Sequence, residues 1–147
     1  MKVLSAWQPY AQLMVLGSKG IETRGWPLGV VPQRIAIHAA KSVRALREVF
    51  TQPHFYEALE AAGFTHSEAL PLGALVGTVE VYGCTPTEEV DPAVIGMREY
   101  AFGDYGPKRF AWHLRNQVSF PPIPMVGHQG LRELPPDILA FIPERAL

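Results

Sequence analysis

Residues Gly73 to Gly83 constrain the fold most. They read as one strand that is apolar on both faces, with Leu75, Val79 and Val81 on one side and Val76, Thr78, Glu80 and Tyr82 on the other. A strand apolar on both faces is covered on both faces, so it belongs inside a sheet. Partner strands are legible around it. Val3-Leu4-Ser5-Ala6 reads as a short first strand. Gln33 to Ala40 alternates, with Ile35, Ile37 and Ala39 facing one way and Arg34, Ala36, His38 and Ala40 the other. Arg109 to Arg115 places Phe110, Trp112 and Leu114 on one face. Beyond it, Pro121, Pro122 and Pro124 exclude a central strand and leave an edge or a loop. Gly127 to Leu134 supplies a last short strand, and Pro136 to Ile142 a closing helix.

The helices fall between these strands. Pro9 suits a first helical position, and Tyr10, Leu13, Met14 and Gly17 follow with one helical stripe. Gly17 has the character of a left-handed stop. Ser42 can cap a helix burying Val43, Leu46, Val49 and Phe50, and Pro53 opens another that ends at Gly63. Thr65 to Leu72 is a polar loop, and a helical turn is expected after Asp91-Pro92. Strands with helices inserted early give an α+β domain, and short glycine-punctuated strands favour a curved or closed sheet. A length of 147 residues fits a single domain over 1–147.

Charge enters through its distribution. The net charge of −1 argues against a surface basic throughout. Residues 1–47 nevertheless balance to +6, residues 48–104 to −9 and residues 105–147 to +2. That asymmetry predicts a positive face built from the first segment. The acidic segment, in turn, is open to a basic protein partner, although a solvated surface is the simpler account. The single Cys84 permits no internal disulfide, and no apolar run is long enough to span a bilayer, so a cytoplasmic setting without membrane contact is expected. The five histidines form no close pair, and no phosphate-binding glycine loop is present, so neither a metal site nor a cofactor is expected.

The chemistry concentrates in Gly17-Ser18-Lys19-Gly20-Ile21-Glu22-Thr23-Arg24. On a strand, Glu22, Arg24 and Trp26 share a face, with Lys19 in the turn before them. Next-but-one residues lie roughly 6.5 Å apart, so Glu22 and Arg24 can address one ligand. Lys19 and Arg24 suit phosphate, and Glu22 suits an exocyclic amino group. Trp26, between turn residues, is the best exposed stacking candidate, whereas Trp7, Tyr10 and Trp112 read as core. His38 and Lys41 lie on the basic segment near the same cleft. A plain surface ion pair of Glu22 with Lys19 or Arg24 is the structural alternative.

Leu4, Trp7-Gln8-Pro9, Ala11 and Gly17-x-Lys19-x-x-Glu22-x-Arg24-x-Trp26 resemble the signature of the ASCH domain, a member of the PUA-like superfamily. Ile37 to Lys41, Gly73 to Glu80, Phe102 to Tyr105, Arg109 to Trp112 and Gly130-Leu131 are similar to its bacterial and phage-type members. The resemblance implies a small mixed β-barrel with flanking helices and a cleft lined by the motif. It also implies RNA, single-stranded nucleic acid or a modified nucleoside as the ligand, with Gln8, Lys19, Glu22, Arg24, Trp26, His38 and Lys41 as the binding set. Some relatives are hydrolases, amidohydrolase- or nuclease-like. On that alternative Lys19 and Glu22 are the catalytic residues, acting on a nucleoside or RNA in the same cleft. The chain departs from the amidohydrolase subgroup at Glu22, where that subgroup carries threonine. No nucleophile-elbow motif is present, and the sequence pairs neither Ser5 nor Ser18 with a base.

Overall fold

The computed structural model describes residues Met1–Leu147. Its strands are β1 (Lys2–Ala6), β2 (Ile21–Arg24), β3 (Gln33–Ala39), β4 (Ala74–Pro86), β5 (Phe110–Pro124) and β6 (Leu131–Glu133). They form one sheet in the order β2-β5-β4-β3-β1-β6. The pairing of β1 with β3 is parallel and every other pairing is antiparallel. The sheet curls into a half-barrel, with β2 and β6 as free edges in place of a closed ring.

β4 lies inside the sheet, as its two apolar faces require. The alternation along it is broken, however. Val76, Val79 and Val81 all join the main core, whereas Leu75 packs on the opposite side. The break falls at Val76, which the β3–β4 register passes over between His38↔Leu75 and Ile37↔Gly77, so one extra β4 residue resets the parity. β5 runs through Pro121, Pro122 and Pro124. It can do so because β2 pairs only with residues 110–113, which leaves the proline end as an edge against β4.

The helices are α1 (Tyr10–Leu16), α2 (Arg44–Val49), α3 (Pro53–Ala61), α4 (Pro92–Ile95), α5 (Met97–Ala101) and α6 (Pro136–Leu139). α1 fills the concave side of the sheet. Its Ala11, Met14 and Val15 pack with Ile35, Ile37, Val79 and Trp112. The approach is close enough to require Gly77, where an added Cβ would meet the Val118 carbonyl and lie 2.6 Å from Val15 Cβ. Gly17 stops α1 at φ 85° and donates its N–H to the Met14 carbonyl, which turns the chain into the motif. α2 and α3 close over Leu13 and Phe102, and the C-terminal segment covers the other face at Val3, Ala36, Leu75 and Phe120.

The basic residues of the first segment do not gather on one face. Lys2 and Arg34 lie at one end of the parallel β1–β3 pair and Lys41 follows the other end. Lys19 is buried, Lys2 pairs with Glu133 and Arg44 pairs with Glu48. The positive face expected from the segment balance is dispersed because the strands carrying it run end to end through the sheet. No helix is long and apolar enough to cross a membrane.

Candidate functional site

The motif folds inward. Lys19 is 1% exposed, and its ammonium donates to the carbonyls of Ile21 at 2.6 Å and Phe102 at 2.8 Å. Glu22 Oε1 lies 3.5 Å from the same nitrogen. Burial pushes the Lys19 pKa down, against the opposing pull of Glu22 and Glu99. Arg24 shares the strand face of Glu22 and grips it with two donors, Nε at 3.0 Å and Nη2 at 2.9 Å. The same Nη2 reaches across the half-barrel to the Ser5 carbonyl at 2.9 Å. β1 and β2 share no ladder, so this guanidinium spans the gap between them.

Glu22 is the hub of this arrangement. A carboxylate offers about four acceptor positions. Oε1 takes the Thr23 N–H and the Lys19 ammonium, and Oε2 takes both Arg24 donors. Its oxygens are therefore committed within the protein. Gln8 is equally committed. It is fully buried, its Nε2 donates to the Pro71 carbonyl at 2.9 Å, and its Oε1 accepts from the Gln12 N–H at 3.0 Å.

Two cavities open beside this network, and Trp7 lines both. The larger, about 440 Å³, is bounded by Ser5, Ala40, Lys41, Met125 and Gly127 together with His38. The smaller, about 340 Å³, is bounded by Tyr10, Glu22, Thr23, Gly103, Asp104 and Arg109. Trp7 is 51% exposed. Of the residues expected to bind, Glu22 reaches the smaller cavity and His38 and Lys41 the larger, whereas Lys19, Arg24, Gln8 and Trp26 line neither. Trp26 instead sits edge-on to Trp112 at 4.8 Å and accepts the Trp112 indole N–H on its carbonyl. The turn beyond β2 folds it back onto the core, and Trp7 takes the exposed position expected of it. Trp112 is core, as its alternation indicates. Tyr10 packs edge-on against Phe55 and still borders the smaller cavity.

Several residues at the site escaped the sequence reading. Arg109 donates to the carbonyls of Asp104 and Thr23, which fixes its guanidinium at the rim of the smaller cavity. Glu99 accepts the Gly20 N–H, and burial holds its pKa above the usual carboxylate range. Ser5 hydrogen-bonds His38. The Phe102–Tyr105 and Arg109–Trp112 segments carried part of this signal, because both match family segments. The Ser5–His38 contact carried none, since it depends on β1 and β3 being parallel neighbours.

Solved structures with the same fold include those of ASCH from Zymomonas mobilis. The parent protein is 20% identical, with 95% of this chain and 90% of that chain covered and a TM-score of 0.58. A serine-to-alanine variant of it gives 19%, 95%, 91% and 0.57, and a tyrosine-to-phenylalanine variant gives 17%, 95%, 93% and 0.54. No curated protein matches the chain. The family model of the ASCH domain matches residues 4–123, which takes in the motif, Ser5, His38 and the central strand β4. With the half-barrel and the inward-folded motif in place as well, the chain belongs to the ASCH domain family.

Proposed function

We propose that this protein binds single-stranded RNA, or a modified nucleoside within it, by receiving one unstacked base against Trp7. The observation that carries the proposal is the half-exposed indole forming a shared wall of two cavities. Such a ring offers a stacking face to any base, worth about 1–3 kcal/mol by alanine substitution. Asp104 is the carboxylate at the smaller cavity with acceptor capacity left, and it suits an exocyclic amino group. Arg109 at one rim and Lys41 at the other are placed for phosphate. Lys41 is exposed and makes no ion pair. Lys19 and Glu22 hold the walls in position, and their saturated hydrogen bonds argue against a hydrolytic pair made from them.

The test is titration of short single-stranded RNA at several salt concentrations. Two phosphate contacts predict a slope of about −1.4 in log K against log salt. A slope several times steeper would indicate a broad basic track and overturn the pocket reading.

A further inference from the structure

The larger cavity contains a pair of side chains that binding does not use. Ser5 Oγ lies 3.0 Å from His38 Nδ1, and His38 Nε2 lies 2.7 Å from the Met125 carbonyl. A carbonyl only accepts, so Nε2 carries the proton and Nδ1 of the neutral ring presents its lone pair to the Ser5 hydroxyl. His38 is 2% exposed and reaches the cavity wall, and Ser5 is partly open to the same cavity. The backbone presses onto the pair at Gly127, where an added Cβ would collide with the imidazole and lie 2.7 Å from Ser5 Oγ. The N–H groups of Val126, Gly127 and His128 find no acceptor within the chain. Of these three, Gly127 is the residue whose backbone abuts the Ser5 hydroxyl.

We propose that Ser5 and His38 form a hydrolytic site for carboxylic esters with good leaving groups, the Met125 carbonyl serving as the group that orients the histidine. The geometry follows the nucleophile–base–orienter order of serine hydrolases. Ser5 Oγ attacks the ester carbonyl while its proton passes to His38 Nδ1. The carbon–oxygen bond to the leaving alcohol breaks, and that alcohol takes the proton from Nδ1. Water then attacks the acyl-serine, His38 accepts its proton, and the carboxylic acid departs as Ser5 regains its hydrogen. The orienting group is a neutral carbonyl, so it fixes the tautomer without the charge stabilisation a carboxylate gives the imidazolium. That limits the site to activated esters, such as aryl esters. The apolar walls at Ala6, Trp7, Ala40, Met125 and Val126 suit a flat ring or short acyl chain.

The groups facing His38 are His128 and Lys41 across the cavity and the Arg24 guanidinium on the Ser5 carbonyl. None is an acid, and burial with the His128 neighbour holds the ring below its ordinary pKa. Activity therefore persists to lower pH than an unperturbed histidine would allow.

The experiment uses the full chain with diisopropyl fluorophosphate, then with 4-nitrophenyl acetate and butyrate. Attack on phosphorus expels fluoride and leaves a stable diisopropylphosphoryl group, located by peptide mass mapping. One adduct is expected, on Ser5. His38→Gln, whose amide can still donate to Met125, is expected to slow labelling by about 10²–10⁴-fold. Ser67→Ala, in a remote turn, is expected to label like wild type. Ester turnover is expected to fall to background in Ser5→Ala. Absence of the Ser5 adduct in the wild-type protein, or wild-type labelling of folded His38→Gln, would overturn the proposal. Both readouts are independent of RNA binding, so each reading can fail without the other.

Discussion

Replacing Lys19 by methionine separates a structural lysine from a ligand-binding one. The substitution keeps an unbranched stem of similar length and removes the ammonium. The Ile21 and Phe102 carbonyls, at 2.6 and 2.8 Å, then lose a charged donor inside the protein. Leaving a buried polar group short of its partner costs about 1–3 kcal/mol. Glu22 keeps both Arg24 bonds, so the loss stays toward the low end of the roughly 3–5 kcal/mol seen when a buried pair is broken outright. Relief of the lysine desolvation offsets part of it, and the net is about 2–4 kcal/mol. At about 2–4 °C per kcal/mol for a chain of this size, the melting temperature falls by roughly 10 °C. Thermal melts followed by circular dichroism measure it, with RNA affinity taken well below the transition. A pH arm adds a sign. Burial lowers the Lys19 pKa from 10.5, so the native state sheds this proton before the unfolded state does. The group's contribution to stability therefore rises with pH between its folded value and 10.5, and the methionine variant lacks that rise. An unchanged melting temperature with lost RNA affinity would refute the reasoning and make Lys19 a ligand contact.

Three further outcomes follow from the same geometry. Trp7→Ala should weaken single-stranded RNA binding by about 1–3 kcal/mol while leaving the melt nearly unchanged, since the ring is half exposed; equal affinity in a filter or anisotropy titration would remove the stacking wall. Gly77→Ala should destabilise the fold by about 1–3 kcal/mol or more, because the added carbon meets the rigid Val118 carbonyl, and denaturant titration reads this directly. Acidification should cost stability through His38: its folded pKa lies below 6.5, so below that pH the unfolded chain takes up a proton the native ring refuses. Wild type should therefore lose more stability than His38→Gln as the pH falls from 6.5, as paired melts would show.

Much of the architecture was legible in the chain. The interior position of β4 followed from its two apolar faces, and the stop at Gly17 from the missing side chain. The motif placed Glu22 and Arg24 on one strand face as joint ligand contacts, and on that face they pair with each other. What periodicity could not give was the direction in which polar groups point once the sheet curls. Lys19 reads as a surface cation by composition, yet the chain around Phe102 folds over it and supplies acceptors. Trp7 and Trp26 exchanged their expected exposures because a turn residue's burial depends on what packs from elsewhere in the fold. The irregular register around β4 was equally silent, since it leaves no trace in alternation read from one strand. Ser5 and His38 stand 33 positions apart, and only the parallel pairing makes them neighbours.

The reach of Arg24 to the Ser5 carbonyl has a mechanical meaning. A closed barrel holds its circumference with a full seam of backbone bonds, which individual side chains do little to alter. Here the space between β1 and β2 has no such seam, and one side chain acts as its latch. The latch is anchored on Glu22 at one end and on the strand that carries the serine of the larger cavity at the other. The closure between these two strands thus rests on a single position: removing that side chain takes away the hydrogen bond that joins β1 to β2 and leaves every strand ladder in place.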